Sequence, residues 1–192
     1  MHLATTAAIE PFEDLDAGDG FQGRAKREGT EFKFEALDYL VRLGCQVLVG
    51  GHHVAGYPVD GLVSTPNGQR LLVAAHGVFD DGAQAGLRRT DTVHKLGHRA
   101  HALRRRDAAR LVVVTSHLPQ PATAAAVYLA DLHEDLGEWL VDVIATTGDL
   151  AGYQRLAGHL TRYPIPSVEP APWWFADRAG SQTRFDFEQG DQ

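Results

Sequence analysis

The chain has 192 residues, of which 44% are hydrophobic and 22% charged, and this length suits one domain with a sizeable core. Eighteen Lys and Arg against 25 Asp and Glu give a net charge of −7, so any nucleic-acid role requires a local basic patch. The single cysteine, Cys45, excludes an intramolecular disulfide and a cysteine-cluster zinc site. Because we find neither a membrane-length apolar run nor a secretory signal pattern, we expect a cytoplasmic protein that does not act at a membrane.

The two ends of the chain differ in character from its middle. Residues 1–28 are rich in acids and glycine and lack a lasting apolar period, which predicts an acidic N-terminal arm. Residues 163–192 combine prolines with Trp173-Trp174-Phe175, which predicts a C-terminal tail that packs on the domain or on a partner. Residues 29–162 are therefore the expected core.

The first part of this core predicts one helix and three strands. An apolar stripe that includes Phe32, Leu37 and Leu40 indicates a helix that ends at Gly44. Three strands and two turns are expected after it: strand Cys45–Val49, turn Gly50–His53, strand Tyr57–Val63, turn Thr65–Gly68 and strand Leu71–Ala75. The third strand is apolar on both faces, so we expect it to lie centrally in the sheet.

Helices and strands alternate in the second part of the core. The expected elements are helix Leu87–Arg106, strand Leu111–Thr115, a mostly helical stretch Pro119–Trp139, strand Val141–Ala145, and a helix from Asp149, its cap, to Leu160. Short turns favour antiparallel pairing of the first three strands, whereas helical crossovers favour parallel pairing of the later ones. The predicted fold class is therefore α/β, with a mixed central sheet flanked by helices.

This element order and two local motifs are similar to one known family. Gly29 precedes Glu31 and Glu35 on the first helix, and Tyr57-Pro58-Val59-Asp60 places an aspartate on the second strand. Over residues 29–145 the pattern resembles the restriction-endonuclease-like PD-(D/E)XK nucleases. The resemblance implies a nuclease-like sheet, a glutamate from the first helix (Glu31 or Glu35) and metal binding by Asp60.

The third strand departs from the family pattern, in which it ends in an acid, any residue and a lysine. Here Ala74 stands at the position of the acid and His76 at that of the lysine. Metal-dependent phosphodiester hydrolysis needs a divalent cation held by carboxylates. With one carboxylate missing, Asp60 binds magnesium poorly, whereas His76 suits manganese or zinc or acts as a base. We expect magnesium or manganese as cofactor if the site is active, and no cofactor otherwise.

Neighbouring segments offer replacements for the missing groups. Asp91 and Lys95 are four residues apart and share a helical face, from which Lys95 can reach the lysine position. Asp80 and Asp81, in the loop after His76, can supply the acid. A site repaired in this way would make the protein a metal-dependent deoxyribonuclease. The alternative is that Asp91 and Lys95 form a solvated helical pair.

The segment from Arg88 to Arg110 carries the nucleic-acid signal. Eight basic residues against Asp91 and Asp107 give the segment a charge of +6, which leaves −13 on the rest of the chain. This polarity is typical of a phosphate-binding face on an acidic body, although a solvated face or a protein-docking face has the same composition. The residues expected to contact DNA are Arg88, Arg89, Arg99, Arg104, Arg105 and Arg106.

Three functional hypotheses follow. The first is a DNA-associated protein with a nuclease-like fold, which binds DNA through the basic helix and has a degenerate metal site. The second is a catalytically inactive scaffold or dimerisation module on the same fold, with a protein partner or a second copy bound. The third is a small-molecule enzyme with a pocket lined by His52, His53 or His117.

Overall fold

The structure is a computed structural model that describes residues 21–54, 56–77, 85–147 and 149–161. The helices are α1 (Phe21–Arg42), α2 (Thr90–Arg104), α3 (Ala124–Leu136) and α4 (Leu150–Thr161). The strands are β1 (Gln46–Val54), β2 (Tyr57–Ser64), β3 (Arg70–His76), β4 (Arg110–Thr115) and β5 (Leu140–Ala145). Most of the predicted acidic arm and all of the predicted C-terminal tail lie outside the described residues.

The five strands form one open mixed sheet in the order β1-β2-β3-β4-β5. β2 pairs with β1 and β3 in antiparallel fashion, whereas β3, β4 and β5 run parallel. β3 therefore lies in the middle of the sheet, and its residues 71–75 are all buried. The predicted α/β class, the mixed sheet and the central position of the third strand are confirmed.

Helices cover both faces of this sheet. One core joins α1 and α4 to the sheet, with Phe32 and Leu156 fully buried in it. The other joins α2 and α3 to the opposite face through residues such as Leu96 and Leu129. Cys45 is buried in the first core, and this burial raises the pKa of its thiol to about 11.

The predicted turn at Gly50–His53 is wrong, because β1 continues through these residues. Gly50 pairs with Gly61, and His52 pairs with Val59, so the chain reverses only between Val54 and Tyr57. A glycine pair fits this strand for a packing reason. A Cβ at Gly61 would lie 2.6 Å from Cδ2 of Leu37, so α1 passes closely over the sheet at this pair.

Helix ends also differ from the sequence prediction. α1 begins at Phe21, before Gly29. Each glycine lowers the stability of a helix by about 1 kcal/mol relative to alanine. The strong helix formers Ala25, Lys26, Arg27 and Glu28 lie between Gly23 and Gly29 and offset this loss. α2 begins at Thr90, because residues 86–88 form a separate 3₁₀ turn. α3 begins at Ala124, since Pro119, Pro121 and a φ of 58° at Ala122 are incompatible with an earlier start.

Two predicted local motifs are confirmed. The hairpin turn at Thr65–Gly68 is closed by a 2.9 Å hydrogen bond from the Gly68 amide to the Thr65 carbonyl, and Gly68 has a φ of 82°. Asp149 caps α4, since its Oδ1 accepts a 2.7 Å hydrogen bond from the Gly152 amide.

A buried ion pair attaches α4 to the strand β5. Asp142 is 1% exposed, and both of its oxygens accept 2.8 Å hydrogen bonds from the Arg155 guanidinium. Burial raises the pKa of the Asp142 carboxyl to about 6, although Arg155 and the Val143 amide act in the opposite direction.

Candidate functional site

Two glycines bring α1 close to the end of the sheet where the site lies. Leu37 packs over Gly61, and Phe32 packs over Gly77, where an added Cβ would lie only 2.5 Å from the phenyl ring. Lys33 is one helical turn before Leu37, and Asp60 is the strand neighbour of Gly61. This close packing therefore places the side chain of Lys33 at Asp60.

The centre of the site is the carboxylate of Asp60, which is 5% exposed. Its Oδ1 lies 2.8 Å from Nζ of Lys33, and its Oδ2 lies 3.8 Å from Nη1 of Arg99 on α2. The Ala75 amide donates a 2.8 Å hydrogen bond to Oδ2. One acid is thus held between two cations from helices on opposite faces of the sheet.

His76 completes this group at the end of β3. The Arg99 Nη2 donates to the His76 Nε2 over 2.7 Å, which assigns the ring hydrogen to Nδ1. Burial and the neighbouring Arg99 lower the pKa of His76 to about 4, with Asp60 opposing them, so the imidazole is neutral at pH 7. We call Lys33, Asp60, His76 and Arg99 the Asp60 cluster.

The formal charge of the Asp60 cluster is +1, from two cations, one carboxylate and a neutral imidazole. Burial lowers the pKa of the Arg99 guanidinium, which is only 17% exposed, and Asp60 offsets part of this effect. Lys33 is 37% exposed, so the positive charge is accessible from solvent.

Ala74 occupies the strand position opposite Asp60. Gly61 pairs with Val73, and the same antiparallel register, continued by one residue, sets Asp60 across from Ala74. Ala74 is buried in the core beneath α2. A methyl group, and not a second carboxylate, therefore lies across the strand pair from Asp60.

The arrangement does not fit a magnesium or manganese ion. Both oxygens of Asp60 face cations, and Nε2 of His76 accepts a hydrogen bond from Arg99. A divalent ion prefers several oxygen ligands, and a cationic neighbour on each oxygen opposes its binding. Among the described residues, no three His, Cys, Asp or Glu side chains are placed to hold a metal ion.

The predicted catalytic residues fall into two groups. Asp60 and His76 lie together in the cluster, whereas Lys95 is 78% exposed and its Nζ lies 3.4 Å from Asp91. Glu31 is exposed and Glu35 partly exposed on α1, and the side chain that α1 directs to Asp60 is Lys33 between them. Asp80 and Asp81 lie outside the described residues.

The predicted DNA-contacting arginines are distributed around α2. Arg99 belongs to the Asp60 cluster, and Arg89 donates two hydrogen bonds to Asp91, of 2.8 and 3.0 Å. Arg104 donates to the Asp135 carbonyl, and Arg106 donates to the Ala102 carbonyl and lies 4.9 Å from the Tyr57 ring centre. Arg105 is exposed, and Arg88 is partly buried in the turn before α2.

Asp91, Lys95 and Arg99 follow one another at four-residue spacing, so they form a row on α2 that leads into the cluster. Arg89 joins this row through Asp91. The row and the cluster together have a formal charge of +2. Four cations (Lys33, Arg89, Lys95 and Arg99) stand against the two carboxylates of Asp60 and Asp91. An anionic chain along this row would meet a positive surface.

Sequence reasoning missed the roles of Lys33 and Arg99 in the cluster. The helical spacing of these two residues from buried leucines could have indicated their positions. Lys33 is four residues before the buried Leu37, and Arg99 lies between the buried Leu96 and Leu103 at spacings of three and four. A cation at the border of a buried helical stripe must find a partner, and here both find Asp60.

No protein-family model, curated protein or solved structure matches this chain. Within the described part of the chain, none of the helices is long and apolar enough to cross a bilayer.

Proposed function

We propose that this protein binds DNA on a nuclease-like α/β scaffold without performing metal-dependent hydrolysis. The observation that carries the proposal is the pairing of Asp60 with Lys33 and Arg99 in place of a second carboxylate. A nuclease site concentrates negative charge to hold a metal ion, whereas this site has a net positive charge that attracts phosphate directly.

The fold and the α2 row support this proposal. The order of one helix, three strands, helix and strand carries Asp60 on the second strand, as the PD-(D/E)XK resemblance implies. The cationic row of α2 ends at that same aspartate, so the surface expected to bind DNA and the degenerate site are continuous. The overall charge of −7 restricts DNA binding to this local surface.

The test is incubation of the purified protein with supercoiled, linear and single-stranded DNA, first with magnesium and then with manganese. We expect no cleavage by the wild type or by Asp60→Ala, and salt-sensitive binding of DNA in EDTA. Cleavage that disappears in Asp60→Ala would contradict the proposal and make the protein a metal-dependent deoxyribonuclease. Absence of DNA binding at low salt would also contradict it.

A scaffold function is the second candidate, and the contacts of two arginines favour it. Arg104 and Arg110 donate to the carbonyls of Asp135 and Glu138, at 2.6 and 2.5 Å, and so join α2 and β4 to the segment around α3. Part of the basic segment therefore has a structural role. Light scattering coupled to size exclusion distinguishes the candidates: a stable dimer that does not bind DNA would favour the scaffold.

A further inference from the structure

We propose that the Asp60 cluster binds one backbone phosphodiester directly, with Lys33 and Arg99 taking the place that a metal ion has in a hydrolytic site. This inference rests on the proposed DNA-binding function and specifies its central contact. The ligand group is a singly charged phosphodiester, and no cation other than these two side chains is needed to hold it.

The charge of the cluster selects this ligand. Among the described residues, Asp60 balances one of the two cations, which leaves one positive charge shared by Arg99 and the more exposed Lys33. Burial removes water from the Arg99 guanidinium, so an anion that supplies one negative charge should stabilise the cluster. A phosphodiester carries one negative charge. A proton on His76 would add positive charge, so the attraction for an anion does not depend on a neutral imidazole.

The geometry permits contact with both cations. Lys33 and Arg99 approach different oxygens of the same carboxylate, so one phosphate can span them on the solvent side. Lys33 uses one of its three ammonium hydrogens on Asp60. Arg99 reaches the His76 ring and the Pro58 carbonyl through separate nitrogens, which fixes the plane of its guanidinium. A fixed guanidinium and a more exposed ammonium form a directed pair of donors.

The α2 row continues this contact along the strand. Lys95 lies one helical turn from Arg99 and is 78% exposed, so a neighbouring phosphate can reach it. The cluster would then anchor one phosphate while the row follows the next ones. This arrangement predicts that Lys33, which lies on α1 outside the basic segment, contributes to DNA affinity.

The experiment measures DNA affinity against salt concentration, in EDTA, for the full chain and for Lys33→Met. Lys33→Met keeps a long apolar stem and removes the charge. We expect the slope of log K against log salt to become less negative by about 0.9 for double-stranded DNA, as for the loss of one phosphate contact. Lys33→Arg should restore the slope. Arg70→Met is the matched control and should leave the slope unchanged, because Arg70 is exposed at the opposite end of β3.

A small probe separates this inference from the proposed function. Dimethyl phosphate, a phosphodiester without bases, should shift the amide NMR signals of Ala75 and its neighbours in the wild type but not in Lys33→Met. An unchanged salt slope in a folded Lys33→Met protein that still binds DNA would overturn the inference and leave the proposed function standing. The inference would also be overturned if the salt slopes of the wild type and Lys33→Met differed only when magnesium replaces EDTA. Dimethyl phosphate binding without DNA binding would support the site and contradict the proposed function.

Discussion

Asp60 and Asp142 are both buried aspartates on strands, and each contacts an arginine from a helix. Asp142 accepts two 2.8 Å hydrogen bonds from the Arg155 guanidinium and is 1% exposed. Asp60 faces two cations, one of them 37% exposed, and the group keeps a positive charge. A closed, neutral pair fastens a helix to a strand, whereas an open, unbalanced cluster remains able to bind an anion. Charge balance and access distinguish the two acids better than burial does.

The largest expected effect on stability comes from removing the arginine that contacts each aspartate. Arg155→Met leaves Asp142 buried without a cation, which should lower the free energy of unfolding by about 3–5 kcal/mol. Arg99→Met should lower it by only about 1–2 kcal/mol, because Lys33 and the Ala75 amide still satisfy Asp60. Urea unfolding followed by circular dichroism measures both. Equal losses would show that Lys33 does not compensate Asp60 in solution.

Titration should separate the two regions with opposite signs. Burial raises the pKa of Asp142 from 3.8 to about 6, so the native state binds this proton more tightly than the unfolded state does. The contribution of Asp142 to the free energy of unfolding therefore falls as pH rises from about 4 to 6. Burial and Arg99 lower the pKa of His76 from 6.5 to about 4, so the unfolded state binds this proton more tightly. The contribution of His76 to the free energy of unfolding therefore rises with pH from about 4 to 6.5. In the wild type the two terms oppose each other.

Single variants should expose each term. Asp142→Asn should leave a stability that increases with pH over this window, and His76→Gln one that decreases, each by up to roughly 3 kcal/mol. Urea midpoints at pH 4, 5, 6 and 7 give the profiles. The same slope in both variants would contradict the assignment of the two shifts.

A smaller effect tests how α1 delivers Lys33 to Asp60. Gly61→Ala places a methyl group 2.6 Å from Cδ2 of Leu37, and the resulting shift should cost about 1–3 kcal/mol. Gly158→Ala on α4 is the matched control. A Cβ there meets nothing within 4 Å, so this change should stabilise the helix by about 0.5–1 kcal/mol. Thermal unfolding measures both, and a neutral Gly61→Ala would show that α1 adjusts freely.

Local sequence was sufficient for most elements and for part of the site. Short-range signals in the sequence predicted the α/β class and the mixed sheet. These signals are the hydrophobic period, the helix cap at Asp149 and the turn at Thr65–Gly68. The same signals misread Gly50–His53 as a turn, because Gly51 has a φ of 60° within β1 and the strand continues without reversing. Asp60 and His76 were brought together by strand pairing alone, which the sequence order already implied.

Only the tertiary structure decided which side chains meet Asp60. The sequence offered Glu31 and Glu35 from α1 and Lys95 from α2, and the folded chain presents Lys33 and Arg99 instead. The rotation of a helix about its axis is set by what it packs on, here by Leu37 over Gly61, and local propensity does not contain that information. The residue types along the chain determined the elements, and the packing of two helices against one strand end determined the charge of the site.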